Sequence, residues 1–179
     1  MQFRTRHGGL LVQCSRSHRY SVVAGAALEH HVHAQWHAGD PARWWEFVPR
    51  GKCHAYVDID RYVDEARDVA ELARVYRQRI AETLAVSDHD VLVSSGCGFS
   101  MDAEHSRWKI SFHMKVESVV FESLEDQRAF WGDANAAIED LDACVYSPNR
   151  MFGMPFCAKP AERQLPRRPM VPLDATTLE

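Results

Sequence analysis

The stretch Trp108-Lys109-Ile110-Ser111-Phe112-His113-Met114-Lys115-Val116 alternates apolar and polar residues without a break. Successive side chains of an extended strand point to opposite faces, so Trp108, Ile110, Phe112, Met114 and Val116 form one apolar face, and Lys109, Ser111, His113 and Lys115 form the other. A strand with one such face belongs in a sheet packed on one side, which makes the rest of the chain a search for partners. Three further segments read as strands: residues 54–60, 91–95 and 150–156, the last bounded by Pro148 and Pro155. Helical spacing predicts a helix over 62–86, with Val69, Leu72, Tyr76, Ile80 and Leu84 inside and Arg67, Glu71, Arg74 and Arg77 outside. A second helix is predicted over 124–141, with Ser123 as its N-cap and Phe130, Ala134, Ala137, Ile138 and Leu141 as its inner face.

The resulting order, strand, helix, strand, loop, strand, helix, strand, predicts an α+β fold: a mixed or antiparallel sheet with covering helices. The segment 96–107, with Gly96 and Gly98, reads as a loop or mobile ligand-facing element. The N-terminal third reads as irregular apart from a helix over 26–37. Residues 158–179 carry four prolines and no periodicity, and read as a tail or a connection.

With 179 residues, 46% of them apolar and 26% charged, the chain has the composition of one globular domain. That excludes a disordered tail or a collagen-like repeat. Its apolar runs fall short of the roughly 20 residues that a membrane helix needs, and residue 1 onward shows no signal-peptide pattern. No membrane association is therefore expected. Five scattered cysteines without a C-x-x-C pair suit free thiols in a reducing, intracellular compartment. A formal charge of -4 argues against coating nucleic acid by bulk charge, and leaves room for a local basic groove beside an acidic metal site.

Three clusters carry chemistry. In Tyr56-Val57-Asp58-Ile59-Asp60 the two carboxylates share a strand face about 6.7 Å apart, while Val57 and Ile59 face the core. Such a pair suits a hard divalent cation, and equally a strand end at which Asp60 caps the following helix. On the alternating strand, Lys109, Ser111 and His113 span roughly 13 Å and match a polyphosphate with point charge and directed donors. A solvated outer face explains the same residues. In the third cluster, Asp142 precedes a short apolar strand and a turn delivering Asn149 and Arg150, with Lys159 beyond. Asp142 could add a third carboxylate and Arg150 a phosphate clamp; the plainer account is a helix end and a surface arginine.

Taken in order, a D-x-D strand, a K-x-S-x-H strand and the run D-x-x-V-Y-x-x-N-R resemble the archaeo-eukaryotic primase superfamily, in particular its primase-polymerase branch, which includes relatives in large DNA viruses. The resemblance covers roughly residues 44–159. It implies an RRM-like primase catalytic core over 51–160, preceded by an N-terminal α/β module over 1–50 and followed by a tail over 161–179. It further implies that Asp58, Asp60 and Asp142 are catalytic and bind two Mg²⁺ or Mn²⁺ ions, and that Lys109, Ser111, His113, Arg150 and Lys159 bind the nucleotide. The implied activity is DNA primase or DNA polymerase chemistry in replication or repair, on single-stranded DNA template, a primer strand and nucleoside triphosphates. A helicase or accessory primase domain is the implied partner. Asp60 stands where close relatives often have Glu, and Gly153 where they often have Arg.

Template contacts are expected from Arg43, Arg50, Arg163, Arg167 and Arg168, whereas Trp44 and Trp45 read more simply as core. Two other readings use the same residues. A metal-dependent nuclease would need the aspartates but not the Lys109, Ser111, His113 row; a silent single-strand-binding replication domain would need none of the carboxylates. The histidines His30, His31, His33 and His37, with Cys14 and His18 upstream, match no zinc module in spacing and read as exposed positions on a helix.

Overall fold

A computed structural model describes residues 10–14, 20–23, 25–39, 44–47, 51–101, 106–134, 138, 140–148, 151–153, 155–157, 169–174 and 176–178. In chain order its elements are β1 (Leu10–Cys14), β2 (Tyr20–Val23), α1 (Gly25–His37), β3 (Trp44–Phe47), β4 (Cys53–Val63), α2 (Val69–Leu84), β5 (Val91–Ser95), β6 (Gly98–Met101), β7 (Ser106–Phe121), α3 (Leu124–Ala134), β8 (Met151–Gly153) and β9 (Val171–Pro172). Short 3-10 turns occupy Asp88–Asp90 and Ala143–Tyr146. Among the described residues the fold is α+β with antiparallel sheets and three α-helices, as the pattern predicts.

The alternating stretch forms the middle of β7, the longest strand. One edge of β7 pairs antiparallel with β4, from Val63↔Trp108 to Cys53↔Phe121, with a single register shift between His54 and Ala55. Its other edge is shared by β5 and β6, and β9 adds to the far side of β5. One face of this sheet is the core. Val57, Ile59, Ile110, Phe112, Met114 and Val116 are almost wholly buried there, and α2 packs on them through Ala73, Tyr76 and Ile80, with the Tyr76 and Phe112 rings 5.9 Å apart.

The second sheet has the order β2-β1-β3-β8. Its last strand comes from far along the chain and ties the two sheets together. Phe152 of β8 is buried, with its ring 5.1 Å from Tyr56 of β4 and 4.0 Å from His113 of β7. The N-terminal segment read as irregular therefore forms strands, which complete their pairing only when residues 151–153 arrive.

The helix expected from residue 62 begins at Val69 instead, because Tyr62 and Val63 continue the ladder to Lys109 and Trp108. Asp68, not Asp60, caps it: the Asp68 carboxylate accepts the Glu71 N–H at 3.0 Å. The helix expected over 124–141 starts as predicted, with the Ser123 hydroxyl accepting the Asp126 N–H at 3.0 Å. It does not extend to Leu141, which makes an antiparallel bridge with Ile59. The supposed strand after Asp142 is a 3-10 turn, since the Asp142 carboxylate accepts the Cys144 N–H at 2.9 Å. Segment 96–107 is not an open loop: β6 pairs with the start of β7. The expected strand over 150–156 is described at Met151–Gly153 alone. The expected tail also packs back. Met170 exchanges backbone hydrogen bonds with Phe156 and Cys157, the Leu173 N–H reaches the Val93 carbonyl, and Leu178 is buried.

The outer edge of β4 is satisfied from three directions, as an edge strand requires. The Tyr56 N–H donates to Gln127 Oε1 of α3 at 2.8 Å, the Asp60 N–H donates to the Asp140 carbonyl at 3.1 Å, and the Asp142 N–H donates to the Asp58 carbonyl at 2.8 Å. Gln127 is fully buried. It also donates to Cys53 Sγ at 3.1 Å and accepts from the Trp131 indole N–H at 3.4 Å. Replacing Gln127 by Leu leaves two buried N–H donors without this acceptor, and should lower unfolding free energy by about 2–4 kcal/mol in urea titration. A loss under about 0.5 kcal/mol would show that Gln127 is not the edge support described.

Candidate functional site

The site is the face of the β4–β7 pair opposite the α2 core. Alternation puts Tyr56, Asp58, Asp60 and Tyr62 of β4 on this face, and register sets them against Lys115, His113, Ser111 and Lys109 of β7. The first two sequence clusters are therefore cross-strand partners, residue by residue. The third reaches them at the other edge of β4. The Ile59↔Leu141 bridge and the Asp142-to-Asp58 backbone bond carry the antiparallel register outward, so that Asp142 stands opposite Asp58. The three carboxylates thus occupy adjoining sheet positions.

Lys109 does not face bulk water as a solvated outer face would require. It is 7% exposed, and its ammonium lies 2.6 Å from Asp60 Oδ2 and 5.4 Å from the centre of the Tyr62 ring. The other carboxylate oxygen, Asp60 Oδ1, is buried and has no hydrogen-bond donor among the described residues. Tyr62 is 41% exposed and forms the wet margin of the site.

His113 is held on three sides. Its ring stacks on Phe152 with centroids 4.0 Å apart, its Nδ1 lies 3.1 Å from the Gly153 carbonyl oxygen, and its Nε2 lies 3.7 Å from Asp58 Oδ1. A carbonyl oxygen only accepts, so Nδ1 carries a proton and Nε2 is the nitrogen presented to Asp58. Ser111 is placed by its backbone: its carbonyl accepts the Gly96 N–H at 2.8 Å, and its N–H lies 3.3 Å from Cys97 Sγ. Gly96 approaches closely here. A Cβ added to it would come 3.1 Å from Met170 Cε and 3.7 Å from the Ser111 hydroxyl, crowding the margin of the site.

Beneath the carboxylates lie two buried tyrosines in reciprocal contact. Tyr56 donates its hydroxyl to the Val145 carbonyl at 3.0 Å, and Tyr146 donates to the Tyr56 carbonyl at 2.8 Å. Burial pushes the Tyr146 phenol well above its ordinary range, and the neighbouring Tyr56, Asp58 and Asp142 push it the same way. It stays a neutral donor that fixes the 3-10 turn under Asp142.

No protein-family model and no curated protein matches this sequence. The chemistry must be read from the site itself. Adjoining carboxylates suit hard cations, and the ammonium, hydroxyl and imidazole opposite them suit an anion. Among the described residues no three His, Cys, Asp or Glu side chains are gathered into a metal-ligating cluster, so Asp58, Asp60 and Asp142 are neighbours on the sheet rather than a closed cage.

Of the sequence-derived site residues, the structure brings together Asp58, Asp60, Asp142, Lys109, Ser111 and His113. Arg150 and Lys159, with Asn149, lie outside the described residues, as do Arg43, Arg50, Arg163, Arg167, Arg168 and His18. On α1, His30, His31 and His37 are exposed as expected, whereas His33 is half-buried with its ring 4.7 Å from Phe156. Cys53, Cys97, Cys144 and Cys157 are free thiols. Sequence reasoning missed Phe152 and Gly153 as the support of His113, although both adjoin the third motif.

The Lys109–Asp60 pair is buried enough that losing one partner strands the other. Asp60→Ala should cost about 3 kcal/mol in urea unfolding, and the double variant Asp60→Ala, Lys109→Met should recover most of it. A double variant no more stable than the single would show that the two charges are not coupled.

Proposed function

We propose that this chain is a nucleotidyl-transfer domain of the primase-polymerase kind, making or extending primers on single-stranded DNA in replication or repair. The observation that carries the reading is the register: D-x-D and K-x-S-x-H are direct partners in one antiparallel pair, and Asp142 is bonded to the free edge of the same strand. The fold is in keeping with it. The order β4-β7-β5, with α2 and α3 as crossovers and residues 140–142 beside β4, supports reading this part of the chain as a split β-α-β core of RRM-like type.

The donor set fits a divalent cation. Asp58, Asp60 and Asp142 offer oxygen ligands only, and Asp60 Oδ1 is a buried acceptor without a donor among the described residues. These three residues would hold two Mg²⁺ or Mn²⁺ ions. Such ions, when bound, supply activation of the primer 3′-hydroxyl and neutralisation of phosphate charge. The remaining work falls to the chain. Lys109 offers its ammonium to a phosphate oxygen in exchange for Asp60, and Ser111 offers a hydroxyl donor. His113, oriented by Gly153 and Phe152, offers Nε2–H in its imidazolium form. Arg150 and Lys159 extend the same anion-binding row in this reading. Closing of the polar face by β8 lowers the local dielectric and strengthens each of these contacts. A helicase or accessory primase domain is the partner this reading expects.

The carboxylate and cation rows together favour nucleotidyl transfer over hydrolysis, because a nuclease has no use for a triphosphate-length row of donors. The test is incubation with single-stranded template, labelled nucleotides and Mn²⁺ or Mg²⁺, with and without a primer. Extension should appear, vanish on chelation and fall at least a hundredfold in Asp58→Ala, while Lys109→Ala should raise the nucleotide KM about tenfold. Full extension by the Asp58→Ala, Asp60→Ala double variant would sink the proposal.

A further inference from the structure

On the side of β4 away from the site, three residues converge in an arrangement that the proposed chemistry does not use. Asp140 has a left-handed backbone, φ +72°, which Asp tolerates better than most residues. Its carboxylate is 14% exposed. Arg61 Nη1 of β4 donates to both of its oxygens at 3.2 Å each, and the Tyr76 hydroxyl of α2 donates to Oδ2 at 2.6 Å. Tyr76 is itself buried, so α2 holds this hydroxyl in a fixed place.

The backbone on either side of that carboxylate is bonded to the two metal-strand aspartates. The Asp140 carbonyl accepts from the Asp60 N–H at 3.1 Å, and Asp142, two residues on, donates its N–H to the Asp58 carbonyl at 2.8 Å. Between them Leu141 bridges Ile59. The left-handed residue turns its side chain to the α2 side, while its successor Asp142 lies opposite Asp58 on the site side. The bridge and the two backbone bonds hold this segment to β4, and beyond Asp142 the buried Tyr56 and Tyr146 hydroxyls hold the 3-10 turn; the anchored Asp140 carboxylate restrains the opposite end, which those tyrosines do not reach.

We infer that Arg61, Tyr76 and Asp140 are positioning residues for the site: they lock residues 140–142 against β4 and so set the Asp142 carboxylate beside Asp58. The inference rests on the reading of Asp58, Asp60 and Asp142 as cation ligands. Loosening the anchor lets Asp142 drift while leaving Asp58 and Asp60 on the rigid β4–β7 pair. The deficit is therefore in cation affinity, not in overall folding.

The test compares wild type with Tyr76→Phe and Asp140→Asn. Both keep side-chain volume, and Asn keeps tolerance of the left-handed backbone. Free Mn²⁺ is measured by electron paramagnetic resonance during titration of the protein, with thermal midpoints recorded without metal and nucleotide incorporation measured across Mn²⁺ concentrations. The expected result is a Kd for Mn²⁺ raised about tenfold in each variant, with incorporation restored at high Mn²⁺ and a folded far-ultraviolet spectrum. Variants that bind Mn²⁺ as wild type does overturn this inference and leave the proposed function standing. A wild type that neither binds Mn²⁺ nor incorporates nucleotide overturns both. Variants whose incorporation stays low at saturating Mn²⁺, with unchanged Kd, also overturn it, because the defect then lies outside cation binding.

Discussion

Everything at the site depends on the register between β4 and β7. A slip of one residue would move Asp58 and Asp60 to the α2 side and bring Val57 and Ile59 to the polar face. What prevents the slip is burial on the opposite face, where Ile59 and Phe112 are wholly inaccessible and are direct partners in the ladder. Each such side chain contributes roughly 1.5–3 kcal/mol through removal from water. The polar residues are thus aligned by their apolar neighbours, and the hydrophobic effect fixes the spacing of the charges.

That alignment creates an electrostatic problem which the rest of the molecule answers. Three carboxylates at adjoining positions repel one another, and the Lys109 ammonium offsets them from the neighbouring strand. Phe152 and the 3-10 turn then cover the pair, so that the charges interact in a medium less polarisable than water. The cover costs desolvation, which the Lys109–Asp60 contact and the buried tyrosine hydrogen bonds compensate. A face that alternation alone would leave to solvent is instead largely buried at Tyr56, Lys109 and His113.

Sequence reading succeeded where one local pattern had one physical meaning. The strand at 108–116 follows from alternation, the strand over 91–95 from its short run of β-branched and apolar residues, and the start of α3 from its serine cap. It went astray where two meanings overlapped. Tyr62 and Val63 fit the helical stripe and the strand equally well, and pairing with Lys109 and Trp108 decided for the strand. Segment 96–107 carries two glycines and several polar residues typical of a loop, yet β7 offered residues 98–101 an edge to pair with. Leu141 fits the inner face of a helix, but the open edge of β4 recruits it instead.

By itself the sequence determined which residues share a face. Period-two alternation in two segments is enough to put Asp58 with Asp60 and Lys109 with Ser111 and His113, because strand geometry leaves no other choice. Only the tertiary structure decided that these two rows oppose each other, that Asp142 joins Asp58 across the outer edge of β4, and that Gly153, 40 residues away, orients the His113 ring. Contacts of that kind have no local signature. They arise when distant segments compete for the same unpaired backbone groups and the same apolar surface, and the outcome belongs to the folded chain as a whole.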